Sequence, residues 1–225
     1  MYLRAVLFDF DFTLVDASLG VVQSINYALE QMGLDPAPPE RILPIIGLSL
    51  QETLTILAGP AQAERLREFH DFFVSKADEV MTPLTRIFEA TPEVLCTLRA
   101  RGLKLAICTS KYRYRVEDIL QRNGLNGAVD VIIGADDVTN LKPHPEPLER
   151  TLAALGVASQ EALYVGDSAA DAEAAYRAGI PFIAVRSGCT PQEALEAFPR
   201  LAQLSHVGEL PAWLEAQGLL RATED

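Results

Sequence analysis

The chain has 225 residues, 49% hydrophobic and 22% charged, enough to bury a full core in one large domain or two unequal ones. A formal charge of −12 argues against a general attraction to nucleic acid or anionic lipid, so an anionic ligand must be captured by a local pocket. No run approaches the roughly 20 apolar residues that span a bilayer, and the apolar N-terminus is too short for a secretory signal. With Cys96, Cys108 and Cys189 at unpaired spacing, a reducing cytoplasm is the expected compartment.

The first apolar run, LRAVLFD (3–9), ends among acids in VLFDFDFTLVD, where Asp9, Asp11 and Asp16 interrupt a stretch otherwise suited to a buried strand. Four more runs follow: LKLAICT (103–109), VDVIIG (129–134), ALYVGD (162–167) and PFIAVR (181–186). They are nearly continuous in aliphatic residues, which suits strands covered on both faces of a parallel sheet.

Helical patterns separate the later runs, at 92–102, 114–125, 145–156 and 171–179, several closing on Gly as crossover helices of βαβ units do. About 90 residues separate the first two strands, far more than a crossover needs. This interval reads as helical at SLGVVQSINYALEQMG, SLQETLTILAG and AERLREFHDFFVSKADEV, with LDPAPPE (34–40) as a proline-rich loop. The expected fold is therefore α/β, a Rossmann-like parallel sheet formed by 1–16 and 83–225, with a helical insert over 17–82.

In an open parallel sheet, ligands gather beyond the carboxyl ends of the strands. Asp9, Asp11, Thr109, Ser110 and Asp167 all fall there. Asp9 and Asp11, two residues apart, can face one side while Phe10 returns to the core. Were these two and Asp167 within about 4 Å of each other, each pair would repel by roughly 4 kcal/mol at an effective dielectric near 20. One is then protonated, or a cation sits among them. An all-oxygen set without His or Cys suits Mg²⁺ over Zn²⁺, and Mg²⁺ suggests a phosphorylated substrate. Thr109, Ser110, the N–H groups that follow and Lys142 would supply a phosphate site, beside a carboxylate able to attack phosphorus.

Each signal has a plainer reading. Thr109 and Ser110 could cap the following helix, Lys142 could be a solvated surface lysine, and Asp167 or Ser168 could be an N-cap. The scattered His70, His144 and His206 lack metal spacing and read as structural, with a reservation for His144 beside the proposed phosphate lysine. Phe69, Phe72 and Phe73 read as helix core, and Cys108 as a buried thiol.

Taken together and in order, DFDFT (9–13), TS (109–110), LKP (141–143) and GDSAAD (166–171) resemble the four motifs of the haloacid dehalogenase superfamily. The segments GDSAADAEAAYRAGIP and CTSK are similar to its phosphoglycolate phosphatase-like subgroup. The resemblance implies Asp9 as nucleophile, Asp11 as general acid and then base, and Thr109 and Lys142 as phosphate ligands. It also implies Mg²⁺ held by the Asp9 carboxylate, the Asp11 main-chain carbonyl and Asp167, with Asp171 in support and the insert acting as a C1 cap. One departure is Phe12, where the subgroup usually has Gly. The expected function is a Mg²⁺-dependent phosphatase acting on a small phosphorylated metabolite. The rivals are a phosphosugar mutase, disfavoured by Leu50 where Arg is common, a haloacid dehalogenase, a phosphoacceptor module and a non-catalytic binding protein.

Overall fold

The computed structural model describes residues 2–220. Its sheet consists of β1 (Ala5–Phe8), β4 (Lys104–Cys108), β5 (Val131–Ile133), β6 (Ala162–Gly166), β7 (Phe182–Val185) and β8 (Ala202–Leu204), and the two remaining strands, β2 (Val15–Asp16) and β3 (Arg86–Ile87), form a separate antiparallel ribbon. The sheet order is β5-β4-β1-β6-β7-β8, and every pairing in it is parallel. The chain thus winds outward from β1 in both directions, and the crevice beside β1 is the topological switch point at which such sheets bind ligands.

Alternation along the strands explains how both faces are buried. Val6, Phe8, Leu105, Ile107, Leu163 and Val165 belong to one apolar cluster, whereas Ala5, Leu7, Ala106, Cys108, Ala162 and Tyr164 belong to another. The first cluster is closed by α5 (Thr91–Ala100), α6 (Arg113–Arg122) and α10 (Leu210–Ala216), and the second by α7 (Glu146–Leu155) and α8 (Ala169–Ala178). Each fully buried aliphatic side chain contributes about 1.5–3 kcal/mol, so the sheet rests on both layers. α7 and α8 stop at Gly156 and Gly179, both left-handed, a conformation Gly adopts without a Cβ penalty.

Between β2 and β3 the chain is helical: α1 (Ser18–Gln31), α2 (Pro39–Ile42), α3 (Leu50–Ala58) and α4 (Leu66–Leu84). α1 buries Gly20, Val21, Ser24, Ile25, Ala28 and Leu29, a stripe at helical spacing that packs along α4. α4 runs through Pro83 to Leu84, slightly past the limit at 82 expected from the sequence. Pro39 does not extend the loop before it: it is the first residue of α2, where its missing N–H costs nothing. No described helix is long and apolar enough to cross a membrane.

Candidate active site

The site begins where β1 stops. Asp9 N–H still donates to Val165 O at 2.8 Å, and Leu14 N–H then folds back onto Phe10 O at 2.9 Å. Phe10 is fully buried, while Asp9 and Asp11 both line a cavity of about 460 Å³. Phe12 takes φ 60° within this turn, a left-handed conformation uncommon for a bulky residue. Its ring is buried and is not part of the cavity wall. Asp16 is not at the rim: its Oδ1 accepts the Ser18 N–H at 2.9 Å at the start of α1.

Thr109, Ser110, Lys142 and Asp167 line the same cavity, so the structure brings these four together with Asp9 and Asp11. The Thr109 hydroxyl accepts the Lys111 N–H at 3.2 Å. It does not cap α6, which starts four residues later after Tyr112 without a side-chain cap; loop N–H groups, not the helix terminus, are what adjoin Thr109. Two buried polar atoms of the wall, Asp11 Oδ1 and Ser110 Oγ, have no hydrogen-bond partner among the described residues. Buried polar atoms are rarely left so, and pairs of them point to a ligand or ion.

Lys142 is 7% exposed, the reverse of a solvated lysine. Its Nζ lies 2.7 Å from Asp9 Oδ1, 2.5 Å from Asp171 Oδ1 and 3.0 Å from Tyr164 Oη. Tyr164, from β6, also donates to Asp171 Oδ1 at 2.7 Å. The other Asp171 oxygen accepts the Ser168 hydroxyl at 2.5 Å and the Ser168 N–H at 3.0 Å, closing a capping box on α8. Both oxygens of Asp171 are thus engaged, and the residue serves as the anchor of Lys142. Close approach needs glycine on the neighbouring backbone: a Cβ on Gly166 would come within 2.6 Å of Asp171 Cγ, and one on Gly188 within 1.9 Å of Asp167 Oδ2.

The electrostatics follow from burial and charge count. Burial pushes Asp9 up to about 7, with Lys142 opposing and the Asp171 charge adding to the rise. Burial likewise raises Asp167 well above the usual carboxylate range, helped by Asp171 and Asp9. Burial acts against the Asp171 charge too, but Lys142, Ser168 and Tyr164 outweigh it and hold this carboxyl low. Carboxylate oxygens of Asp9, Asp167 and Asp171 lie within 4.8 Å of one another. With all three ionised, the ammonium of Lys142 would leave two negative charges, which one divalent cation would neutralise. The oxygen-only donor set suits Mg²⁺.

Several participants have no role of their own in the sequence reading. Lys111, 8% exposed, places Nζ 3.1 Å from Asp11 Oδ2. Thr13 donates to Asp167 Oδ1 at 3.3 Å, and Tyr164 reads in the sequence as one more apolar strand residue. His70 also belongs to the wall, with Nε2 2.8 Å from Tyr112 Oη. His144, which carried the reservation, is exposed, and its Nδ1 accepts the Glu146 N–H at 3.1 Å. Of the phenylalanines, Phe69 is fully buried, as a core residue should be, and Phe73 is partly buried and reaches the cavity. Cys108 is buried and free, its thiol pushed up to about 12 by burial, and Cys96 and Cys189 are free and exposed.

Comparison with known proteins agrees with this geometry. A family model described as haloacid dehalogenase-like hydrolase matches residues 6–185. The chain is 32% identical to pyrophosphatase PpaX of Bacillus cereus over 210 residues, covering 93% of this chain and 95% of that one. It is 33% identical to phosphoglycolate phosphatase of Shigella dysenteriae over 216 residues, covering 86% and 85%. Among solved structures, a haloacid dehalogenase-like hydrolase from Bacteroides fragilis superposes with a TM-score of 0.89 at 36% identity, covering 92% of this chain and 99% of that one. The parallel sheet, the acids at its switch point and these matches together place the chain in the haloacid dehalogenase-like hydrolase family.

Proposed function

We propose that the protein is a Mg²⁺-dependent phosphomonoesterase that works through an aspartyl phosphate on Asp9. The observation that carries the reading is the convergence of the Asp9, Asp167 and Asp171 carboxyl oxygens within 4.8 Å of one another beside Lys142. The ion would be held by the Asp9 carboxylate, the Asp11 main-chain carbonyl and Asp167, and when bound it would offset the repulsion between the carboxylate and an incoming phosphate. Residues 17–82 would form a cap that excludes bulk water.

In this reading an Asp9 oxygen attacks phosphorus while the ester oxygen leaves with a proton from Asp11. Water then attacks the phosphorus of the aspartyl phosphate and gives its proton to Asp11, releasing phosphate and restoring both acids. Thr109, Ser110 and Lys142 hold the phosphoryl oxygens, and Asp171 keeps Lys142 charged and in place. Lys111 beside Asp11 positions the carboxyl that must reach the leaving oxygen. The three free cysteines suit a cytoplasmic enzyme.

A phosphosugar mutase would use the same two aspartates, but Leu50 lies in the cavity wall, where an arginine could have held a second phosphate. A non-catalytic binding role leaves the Asp11 carboxyl in the wall without a task. The reading is tested by a phosphomonoester panel assayed with Mg²⁺ and then EDTA, with Asp9→Asn as control. Phosphate release that survives both EDTA and the substitution would refute it.

A further inference from the structure

We infer that the leaving group of the substrate is an uncharged, largely apolar alcohol, not a second anion; this rests on the phosphatase reading of the same site. The cavity of about 460 Å³ falls in the roughly 300–1,000 Å³ range of small-molecule sites. Away from the acids its wall is built largely by the helical insert and is mostly apolar, with Ile46, Leu48 and Leu50 beside Ser49, Gln51 and Thr53. Removing apolar surface of a ligand from water against such a wall gains about 25 cal/mol per Å².

The charges of the wall point the same way. Its cations are Lys111, Lys142 and Arg115, and each already faces a carboxylate. Lys111 lies 3.1 Å from Asp11, Lys142 2.7 Å from Asp9 and 2.5 Å from Asp171, and Arg115 2.7 Å from Asp78. Arg115 is further fixed by a bond to Val74 O at 3.2 Å and by the rings of Tyr112 and Tyr114, each 5.2 Å away. With Lys142 given to the transferred phosphoryl group, a carboxylate or second phosphate would have to draw Lys111 from Asp11 or Arg115 from Asp78. An unpaired anion would be desolvated among aliphatic side chains, at a cost of several kcal/mol. Glycolate and phosphate, the leaving groups of phosphoglycolate and pyrophosphate, are such anions. Ser49, Gln51, Thr53 and the His70–Tyr112 pair, bonded at 2.8 Å, give the wall polar points suited to hydroxyls.

On the full-length protein with Mg²⁺, the test compares compounds bearing a neutral alkyl group with compounds bearing a second anion. Binding is measured by calorimetry with hexylphosphonate and phosphonoacetate, neither of which is hydrolysed, and turnover with hexyl phosphate, phosphoglycolate and pyrophosphate. The expected result is a preference of about tenfold or more for the hexyl compound in both measurements, reduced or reversed in Leu48→Arg, which supplies a cation to the wall. Equal or tighter binding of phosphonoacetate, faster turnover of phosphoglycolate or pyrophosphate, failure of both phosphonates to bind, or a preference unchanged by Leu48→Arg would overturn the inference. Faster hydrolysis of phosphoglycolate or pyrophosphate than of hexyl phosphate would do so while leaving the phosphatase reading intact. Tight hexylphosphonate binding without hydrolysis of any substrate would sink the catalytic reading and the leaving-group assignment with it.

Discussion

Lys142 and Asp9 are 133 positions apart in the chain, and their charged atoms meet at 2.7 Å inside the protein. This ion pair also includes Asp171 at 2.5 Å, so removal of the lysine leaves two buried carboxylates facing each other and Asp167. Breaking a buried pair from one side costs about 3–5 kcal/mol, and losing a donor that stabilises transition-state charge costs about 10²–10³ in rate. Lys142→Ala is therefore expected to lower both the denaturation midpoint and kcat. The stability loss should shrink at acid pH, where the freed carboxyls take up protons; a loss independent of pH would contradict the electrostatic account.

The acids predict how stability varies with pH. Asp9 is pushed up to about 7 and Asp167 is raised in the same direction, both above their unfolded values. A carboxyl raised by folding contributes stability below its unfolded value and loses it as pH rises through its folded value. Glu146 acts in a separate window: N–H groups of Thr139 and Asn140 hold it down to about 2, so its contribution is lost only as pH falls below its unfolded value toward 2. With EDTA, Tm should therefore decline from about pH 4 to about pH 7, the span between the ordinary and the raised Asp9 value. Saturating Mg²⁺ should flatten that decline, because a cation keeps both carboxyls ionised at no cost. Identical slopes with and without Mg²⁺ would show that no ion sits among these acids.

A backbone position tests the proposed metal ligand Asp167 without touching it. A Cβ on Gly188 would stand 1.9 Å from Asp167 Oδ2, so Gly188→Ala must displace that carboxylate. Disturbing the support of a ligand usually lowers metal affinity by about 10–100-fold. That loss is the expected outcome in Mg²⁺ calorimetry; unchanged affinity would remove Asp167 from the ion site.

Phe12 gives a prediction that runs against the usual order of residues. Ala and Gly variants both forfeit the burial of the ring, so that cost cancels between them. At φ 60° Ala pays about 1–2 kcal/mol for the left-handed conformation and Gly does not. Phe12→Gly should thus unfold at a higher urea concentration than Phe12→Ala. The reverse order would mean that the turn relaxes once the ring is gone.

Sequence pattern revealed the parts of the molecule that depend on continuous runs or fixed order. Five strands announced themselves as aliphatic stretches, and Asp9, Asp11, Thr109, Ser110 and Asp167 fell at strand ends. The sixth strand, Ala202–Leu204, was missed because three residues with a central Gln carry no run of their own. The ribbon of Val15–Asp16 with Arg86–Ile87 is too short to show a period. The residues that complete the site escaped for another reason: their chemistry depends on who their neighbours are. Lys111 looks like any surface lysine until Asp11 stands beside it, Tyr164 is a strand residue until its hydroxyl meets Asp171, and His70 lies on a helix whose facing partner, Tyr112, comes from another part of the chain. The direction of the Phe12 ring, away from the cavity, likewise follows from a backbone angle that composition does not encode.

Transfer of phosphorus to Asp9 is the central claim, and a single-turnover reaction quenched in acid tests it most directly. The peptide containing Asp9 should carry one added phosphoryl group by mass spectrometry, lost on longer incubation and absent in Asp9→Asn. Release of phosphate with the Asp9 peptide unmodified at every time point would contradict it.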